Sequence, residues 1–260
     1  MPHHTTADGC RLAYALAGPD TAPPVVLSNS LGTDRSLWDA QIAPLAARFR
    51  VLTYDTRGHG ESDAPAAAYS VERLGHDVLA LMDAVGFARA HVCGLSIGGI
   101  TALWLGVHAP ARVQRLVLAN TAARIGSPES WAERMRAVSA DGISALADGA
   151  MARWFTAAFR QAEPATIARM RATLLRVPVP GYLGGCAALR DADLQDVASQ
   201  VRAQTLVVTG AHDVATPPAA GEWLAGAIRG ATLLELDAAH LSNIERAPEF
   251  TVALIAFLEG

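Results

Sequence analysis

The fold of this chain is decided by residues 88–109, which read ARAHVCGLSIGGITALWLGVHA. A short apolar run leads into Gly-x-Ser-x-Gly at residues 94–98, and a helical pattern follows. That order is typical of a nucleophile elbow, a sharp strand-to-helix turn that exposes a serine hydroxyl at the edge of a sheet. The glycines are needed because the turn brings the two backbones close together. Ser96 is therefore a candidate nucleophile at a helix N-terminus, where free N–H groups favour developing negative charge.

A serine hydroxyl becomes a good nucleophile only when a base takes its proton and a third group orients that base. In this topology the chain order is serine, then Asp or Glu, then histidine. Asp213 follows the predicted strand 206–209, and His240 follows the predicted strand 233–236, so both lie where ligands bind in open α/β sheets. We predict that Ser96, Asp213 and His240 form a catalytic triad.

Two other residues compete for these roles. His212 is adjacent to Asp213 and is the main competitor for the base, whereas Asp237 competes for the acid although it lies only three residues before His240. Asp213 itself also has an ordinary interpretation as a helix N-cap or loop carboxylate. His59 precedes the serine, and we predict that it braces a loop.

A tetrahedral oxyanion needs two backbone N–H donors. One comes from the residue after the nucleophile, Ile97, and the other from the loop that follows the first central strand. Within that loop, residues 28–32, we select Leu31 as the second donor. Spacing alone supports an ordinary polar turn at residues 29–32 equally well.

Strands and helices alternate as far as residue 120 and again from residue 205. This alternation predicts an α/β fold with a mostly parallel central sheet and helices on both faces. The intervening block contains only helical segments rich in Ala and Arg. We therefore predict an α/β core at residues 1–123 and 200–260 that carries a helical cap insertion at residues 124–199.

The composition is that of a globular protein, with 51% hydrophobic and 18% charged residues among 260. A net charge of −4 and the lack of a basic tract argue against nucleic acid as a main partner. Three widely spaced cysteines do not indicate a disulfide framework, and no zinc-ligand cluster is present. The N-terminal sequence MPHHTTADG does not resemble a signal peptide, and no apolar run approaches membrane-spanning length. We expect a cytoplasmic protein with no membrane partner; the sequence does not indicate the oligomeric state.

The elbow, the order of the triad and the helical insertion resemble the α/β-hydrolase superfamily over nearly the whole chain. Within it, several stretches resemble 3-oxoadipate enol-lactonases. These stretches are residues 28–33 before Trp38, 54–60, 93–99, 120–129, 153–156 and 239–245. Residues 120–129 and 240–245 are the most specific to that family, whereas 54–60 and the elbow are widely shared. Asn29 and Ser30 stand where many superfamily members have His-Gly, which is similar to the lactonase pattern.

The resemblance implies hydrolysis of 3-oxoadipate enol-lactone to 3-oxoadipate, in the protocatechuate branch of the β-ketoadipate pathway, through an acyl-enzyme and without a metal or organic cofactor. The partner is then a small lactone whose carboxylate needs a cationic or strongly hydrogen-bonding group in the pocket. In the cap we expect Arg134, near Trp131, to bind this carboxylate, with Arg124 as the alternative and Trp154 lining the pocket. A broad carboxylesterase with perhydrolase activity, or a non-catalytic small-ligand receptor on the same fold, are the alternatives.

Overall fold

A computed structural model describes residues 1–260 and contains one eight-stranded sheet. Its strands, numbered along the chain, are β1 (His3–Thr5), β2 (Arg11–Ala17), β3 (Pro24–Ser28), β4 (Arg50–Tyr54), β5 (Ala90–Leu95), β6 (Val113–Ala119), β7 (Gln204–Gly210) and β8 (Thr232–Leu236). The spatial order is β1-β2-β4-β3-β5-β6-β7-β8. Only the two N-terminal strands run antiparallel to their neighbours, so the predicted α/β fold with a mostly parallel sheet is confirmed.

Eleven α-helices accompany the sheet. They are α1 (Asp39–Ala46), α2 (Val71–Ala84), α3 (Ile97–His108), α4 (Pro128–Asp141), α5 (Ala147–Trp154), α6 (Ala157–Ala162), α7 (Pro164–Leu175), α8 (Val179–Asp191), α9 (Pro218–Ala227), α10 (Ser242–Glu245) and α11 (Ala247–Glu259). From β3 the chain moves to β4, toward one edge of the sheet, and from β4 it moves to β5 and β6, toward the other edge. Because crossovers between parallel strands are right-handed, this change of direction places α1 on the opposite face of the sheet from α2 and α3. The central strands are apolar because both of their faces are covered, and all six residues of β5 are buried. No helix of the chain is long and apolar enough to cross a membrane.

The reversal of direction occurs between β3 and β5. These strands are hydrogen-bonded neighbours, with Ser28 opposite Gly94. In open α/β sheets such a switch point leaves a crevice at the C-terminal ends of the strands, where ligands bind. The loop after β3 and the turn after β5 therefore meet at this crevice.

Between β6 and β7 the chain forms only helices, α4 to α8, and short 3-10 turns. We refer to residues 124–199 as the cap. Helix α8 of the cap approaches the core closely: a Cβ atom at Gly181 would overlap the backbone of Gly58, and one at Gly185 would press on the Leu31 side chain. The cap therefore lies over the loops that follow β3 and β4.

A buried ion pair fixes the loop after β4 to the rest of the core. The Arg57 guanidinium donates two hydrogen bonds to the Asp77 carboxylate of α2, from Nε to Oδ2 at 2.5 Å and from Nη2 to Oδ1 at 2.6 Å. Both side chains are buried. The guanidinium also pairs with Asp8 and lies 5.5 Å from the centre of the Tyr69 ring. Removing one partner of such a pair leaves an uncompensated charge in the interior.

Asp77→Ala should lower the free energy of unfolding by about 3–5 kcal/mol, because Arg57 stays buried without its main counter-charge. Asp83→Ala, on the same helix, is a matched control: Asp83 forms an exposed pair with Arg112, and such pairs contribute about 1 kcal/mol or less. Urea denaturation of both variants measures the difference. Equal losses of unfolding free energy in the two variants would show that the buried pair contributes no more to stability than the exposed pair.

Candidate active site

The turn between β5 and α3 holds Ser96 in a strained backbone conformation. Its φ of 60° and ψ of −118° lie in a region that residues with a side chain rarely adopt. The neighbouring strand β6 and the residues after it stabilise this conformation. The Ser96 N–H donates to the Ala119 carbonyl at 3.0 Å, and the Ser96 carbonyl accepts the Thr121 hydroxyl at 2.7 Å. The result is a serine that lines a cavity at the C-terminal edge of the sheet.

The glycines of the turn let three backbones approach one another. A Cβ atom at Gly94 would overlap the carbonyl of Gly98, and one at Gly98 would overlap the carbonyl of Ser28 at the end of β3. A Cβ atom at Gly99 would lie 2.5 Å from the Cβ of Thr121. Strands β3 and β5 and helix α3 therefore pack at a distance that only glycine permits.

Asp213 follows β7 and His240 follows β8, so two adjacent strands bring them to the same edge of the sheet. The His240 Nδ1 atom lies 2.8 Å from Asp213 Oδ2, and both side chains are buried. The hydrogen bonds of the His240 side chain, to Asp213 and Thr216, both use Nδ1, which leaves Nε2 free to take up a proton. His240 also lines the same cavity as Ser96. The structure thus brings together the three residues of the predicted triad.

The carboxylate of Asp213 accepts five hydrogen bonds. Besides His240, the donors are the N–H groups of Ala215 and Thr216 at 2.8 and 3.0 Å, the Thr216 hydroxyl at 2.6 Å and the Asn120 amide at 3.0 Å. Burial by itself raises the pKa of Asp213, but the charge of His240 and these hydrogen bonds outweigh burial and lower the pKa to about 2. Asp213 is therefore ionised near neutral pH, as a group that orients an imidazole and stabilises its protonated form must be.

The predicted oxyanion donors lie on either side of the switch point. Leu31 follows β3 and lines the cavity, and its N–H donates to no other protein group. Ile97 is the first residue of α3, so its N–H has no partner within the helix. The Asn29 side chain anchors the loop that carries Leu31, because it donates to the Tyr54 carbonyl at 2.6 Å and accepts the Trp38 indole N–H at 3.0 Å.

His59 braces the same loop. Its Nε2 atom accepts the Gly32 N–H at 3.0 Å, and its Nδ1 atom lies 3.2 Å from the Arg57 carbonyl, which favours the tautomer with the proton on Nδ1. Burial lowers the pKa of His59 to about 4. The neutral ring is required here, because a protonated Nε2 cannot accept the Gly32 N–H.

The cavity in front of Ser96 lies between the core and the cap and has a volume of about 170 Å³. Its core side includes Ser30, Leu31, Ser96 and His240, and its cap side includes Trp131, Arg134, Arg153, Trp154 and Tyr182. Pockets for drug-sized ligands measure about 300–1,000 Å³, so this cavity suits a small molecule. No group of three or more His, Cys, Asp or Glu side chains is placed to hold a metal ion.

Two arginines of this cavity, Arg134 and Arg153, are not paired with a carboxylate, whereas five of the nine cap arginines are. The Arg134 guanidinium lies 4.6 Å from the centre of the Trp131 ring. Burial, together with the positive charge of Arg134, lowers the pKa of Arg153. Two unpaired cations at one cavity favour an anionic ligand, since a carboxylate relieves their repulsion and accepts paired hydrogen bonds from a guanidinium.

The chain matches known sequences and structures over nearly its whole length. Residues 23–247 match the family described as the alpha/beta hydrolase fold. The chain belongs to this family. It is 38% identical to 3-oxoadipate enol-lactonase 1 of Acinetobacter baylyi, over 98% of this chain and 96% of the relative. The crystal structure of the enol-lactonase from Burkholderia xenovorans LB400 has a TM-score of 0.98 and 47% identity, with 100% of both chains covered. A thermophilic esterase from Thermogutta terrifontis, solved with malate bound, has a TM-score of 0.93 and 28% identity, over 100% of this chain and 98% of that one.

Asn120 is a residue of this alpha/beta hydrolase to which the sequence assigned no role. It follows β6, is fully buried and has a φ of 43°, in the left-handed region. Its amide donates to Asp213 and to the Ala239 carbonyl at 3.2 Å, and its side-chain oxygen accepts the Ser242 hydroxyl at 2.5 Å. Asn120 therefore joins the loops of the acid and the histidine. Its place at the C-terminal end of the strand beside the elbow strand is the signal that identifies it.

The other residues considered from the sequence lie elsewhere. His212 and Asp237 pair with each other at 2.8 Å on the surface, and neither lines the cavity. Arg124 also lies outside the cavity, because it is exposed and pairs with Asp193 at 3.3 Å. The structure places Arg153 there instead, a residue that the sequence did not select; its signals were its adjacency to Trp154 and its place in the lactonase-like stretch 153–156.

His59→Gln should make the stability of the hydrolase less sensitive to acid. Unfolded histidine takes up a proton near pH 6.5, whereas burial lowers the pKa of His59 to about 4. The neutral ring therefore stabilises the folded state above pH 6.5, and this contribution is lost as the pH falls toward 4. Unfolding free energies measured between pH 6 and 4.5 should show a slope about 1.4 kcal/mol per pH unit smaller in the variant. An unchanged slope would show that His59 is protonated in the folded protein.

Proposed function

We propose that this alpha/beta hydrolase is a 3-oxoadipate enol-lactonase, which converts 3-oxoadipate enol-lactone to 3-oxoadipate in the protocatechuate branch of the β-ketoadipate pathway. The observation that carries the proposal is the joint position of Ser96, His240 and two unpaired arginines at one small cavity. The similarity to the lactonases of A. baylyi and B. xenovorans supports the choice of substrate. The partner is therefore a small lactone that bears a carboxylate.

The first step is attack of the Ser96 hydroxyl on the lactone carbonyl, with His240 Nε2 accepting the proton. Asp213 is held ionised by its hydrogen bonds, so it stabilises the protonated imidazole. The N–H groups of Leu31 and Ile97 bind the oxyanion of the tetrahedral intermediate. Each such donor contributes about 3–4 kcal/mol to the stability of the transition state in enzymes where it has been removed.

Collapse of this intermediate opens the ring. The bond between the carbonyl carbon and the ring oxygen breaks, and the oxygen takes the proton from His240 and departs as an enol. The enol tautomerises to the ketone, which makes ring opening hard to reverse. Water then attacks the acyl group on Ser96, with His240 again as the base, and the second carboxylate is released as Ser96 recovers its proton.

The substrate carboxylate is bound by the cap. Arg134 is positioned by its stacking on Trp131, whose indole N–H donates to the Ile125 carbonyl at 2.6 Å. Arg153 adds a second positive charge at the same cavity. Two positive charges suit this reaction, because the lactone substrate carries one carboxylate and the product carries two.

Turnover of the enol-lactone, followed by the loss of its ultraviolet absorbance, tests the proposal. The wild type should hydrolyse the lactone with a kcat/KM well above that for p-nitrophenyl acetate, and Ser96→Ala should lower both rates by at least ~10⁴-fold. A higher kcat/KM for p-nitrophenyl acetate would favour a broad carboxylesterase, and the similar T. terrifontis protein is an esterase. Binding of the lactone by the wild type without turnover would favour a non-catalytic receptor.

Arg134→Gln should raise KM for the enol-lactone by about 10- to 150-fold, because hydrogen bonds to charged groups contribute about 1.5–3 kcal/mol. The same variant should hydrolyse p-nitrophenyl acetate, which has no carboxylate, at nearly the wild-type rate. Arg124→Gln is the matched control and should leave both reactions unchanged, since Arg124 is exposed outside the cavity. Steady-state kinetics on the two esters measure these changes. If Arg134→Gln changed the kinetics of both esters equally, Arg134 would have no role in carboxylate binding.

A further inference from the structure

The residue before His240 is attached to the cap through Glu245, the last residue of α10. The Ala239 N–H donates to Glu245 Oε2 at 3.0 Å, and the same oxygen accepts the N–H of Thr156 in the cap at 3.3 Å. The other oxygen, Oε1, accepts the Thr156 hydroxyl. One carboxylate thus joins the loop of the histidine to the cap with three hydrogen bonds.

The residue after His240 is attached to the cap directly. The Leu241 N–H donates to the Trp154 carbonyl at 3.0 Å. The Trp154 ring lies beside the other catalytic loop, because a Cβ atom on Gly32 would be only 3.4 Å from it. The segment 154–156 therefore contacts the histidine loop, the predicted oxyanion loop and the cavity at once.

The two stretches that meet here are distant in the sequence. Thr156 and Glu245 are separated by 89 positions. Both belong to stretches that resemble the lactonases, 153–156 and 239–245, and the proposed mechanism gives roles to Arg153 and His240 in these stretches but none to Thr156 or Glu245. The hydrogen bonds between Thr156 and Glu245 join these two segments in the fold.

We propose that Glu245 is a positioning residue that fixes the backbone of His240 to the cap segment 154–156. The proposal rests on the proposed function, because it takes His240 as the base. Asp213 holds the imidazole at Nδ1, and Glu245 holds the backbone from which the imidazole projects. Hydrogen bonds to a carboxylate are about twice as strong as those between neutral groups. Catalytic groups must be placed to about 0.5 Å, and an error of about 1 Å lowers a rate by roughly 10²-fold.

Glu245→Gln is the direct test. The side chain keeps its size but loses its charge, so every remaining hydrogen bond is weaker than the bond to a carboxylate. The new NH2 cannot accept from the Ala239 and Thr156 N–H groups, and toward the Thr156 hydroxyl it can only donate. We expect kcat to fall by about 10- to 100-fold on both the enol-lactone and p-nitrophenyl acetate. KM should stay within about twofold, because Arg134 and Arg153 are untouched. Asp237→Asn is the control: it lies on the same loop, its partners are His212 and Arg246 at the surface, and kcat should be unchanged.

Thr156 provides a second, independent test should Glu245→Gln fold poorly. Thr156→Val removes the hydroxyl and should lower kcat. Thr156→Ser keeps the hydroxyl and should have a kcat close to that of the wild type. The serine also keeps the cap of α6, where the Thr156 oxygen accepts the Phe159 N–H at 3.2 Å. If Thr156 and Glu245 act through one contact, the double variant Glu245→Gln/Thr156→Val should be no slower than the slower single variant.

Four outcomes would overturn the proposal. The first three concern Glu245→Gln: a wild-type kcat, a loss of kcat no larger than the loss of folded protein measured by thermal unfolding, or a change in KM alone. The fourth is a loss of kcat in the double variant that equals the sum of the two single losses in free energy. If the wild type hydrolyses only p-nitrophenyl acetate, the proposed function fails but Glu245 is still tested with that ester. Failure of the wild type on both esters would overturn both proposals, since His240 would then not act as a base.

Discussion

The close approach of β3, β5 and α3 is the constraint on which the rest of the site depends. Gly94 and Gly98 permit it, and Gly98 lies directly against the carbonyls of Ser28 and Asn29. The same approach forces Ser96 into a left-handed conformation, at a cost of about 1–3 kcal/mol for a residue with a side chain. It also brings the first turn of α3 against the loop after β3. The strained backbone of Ser96 and the closeness of α3 to the loop of the predicted oxyanion donor Leu31 thus have one physical origin.

Charge at the edge of the sheet is distributed unevenly. Asp213 is surrounded by donors, and Arg57 is paired with Asp77, so the buried charges of the core are compensated within the protein. The half-buried Arg134 and Arg153 have no carboxylate partner, and both line the cavity. Two like charges at one half-buried place repel each other, so an anionic ligand would stabilise the pair. A carboxylate-bearing substrate meets this requirement.

The sequence predicted what strand order and local pattern determine. Alternating strands and helices determine the sheet, and the C-terminal ends of parallel strands converge, so Ser96, Asp213 and His240 could be assembled without coordinates. Contacts between the cap and the core could not be predicted in the same way. Helical periodicity distinguishes the faces of a helix but does not say which face of the cap meets the core. Arg124 was therefore chosen as the alternative to Arg134, and Arg153 was not selected.

The cap contributes more than a cover for the cavity. Through α8 it packs on the loop that carries Leu31, and through Trp154 and Thr156 it is hydrogen-bonded to the loop that carries His240. A rigid displacement of the cap would break these contacts, so they oppose movement of the cap away from the catalytic loops. Val214 lines the cavity and is 69% exposed, so the cavity reaches solvent beside the loop of the acid. Entry of substrate at this point would leave the cap in contact with the residues that it positions.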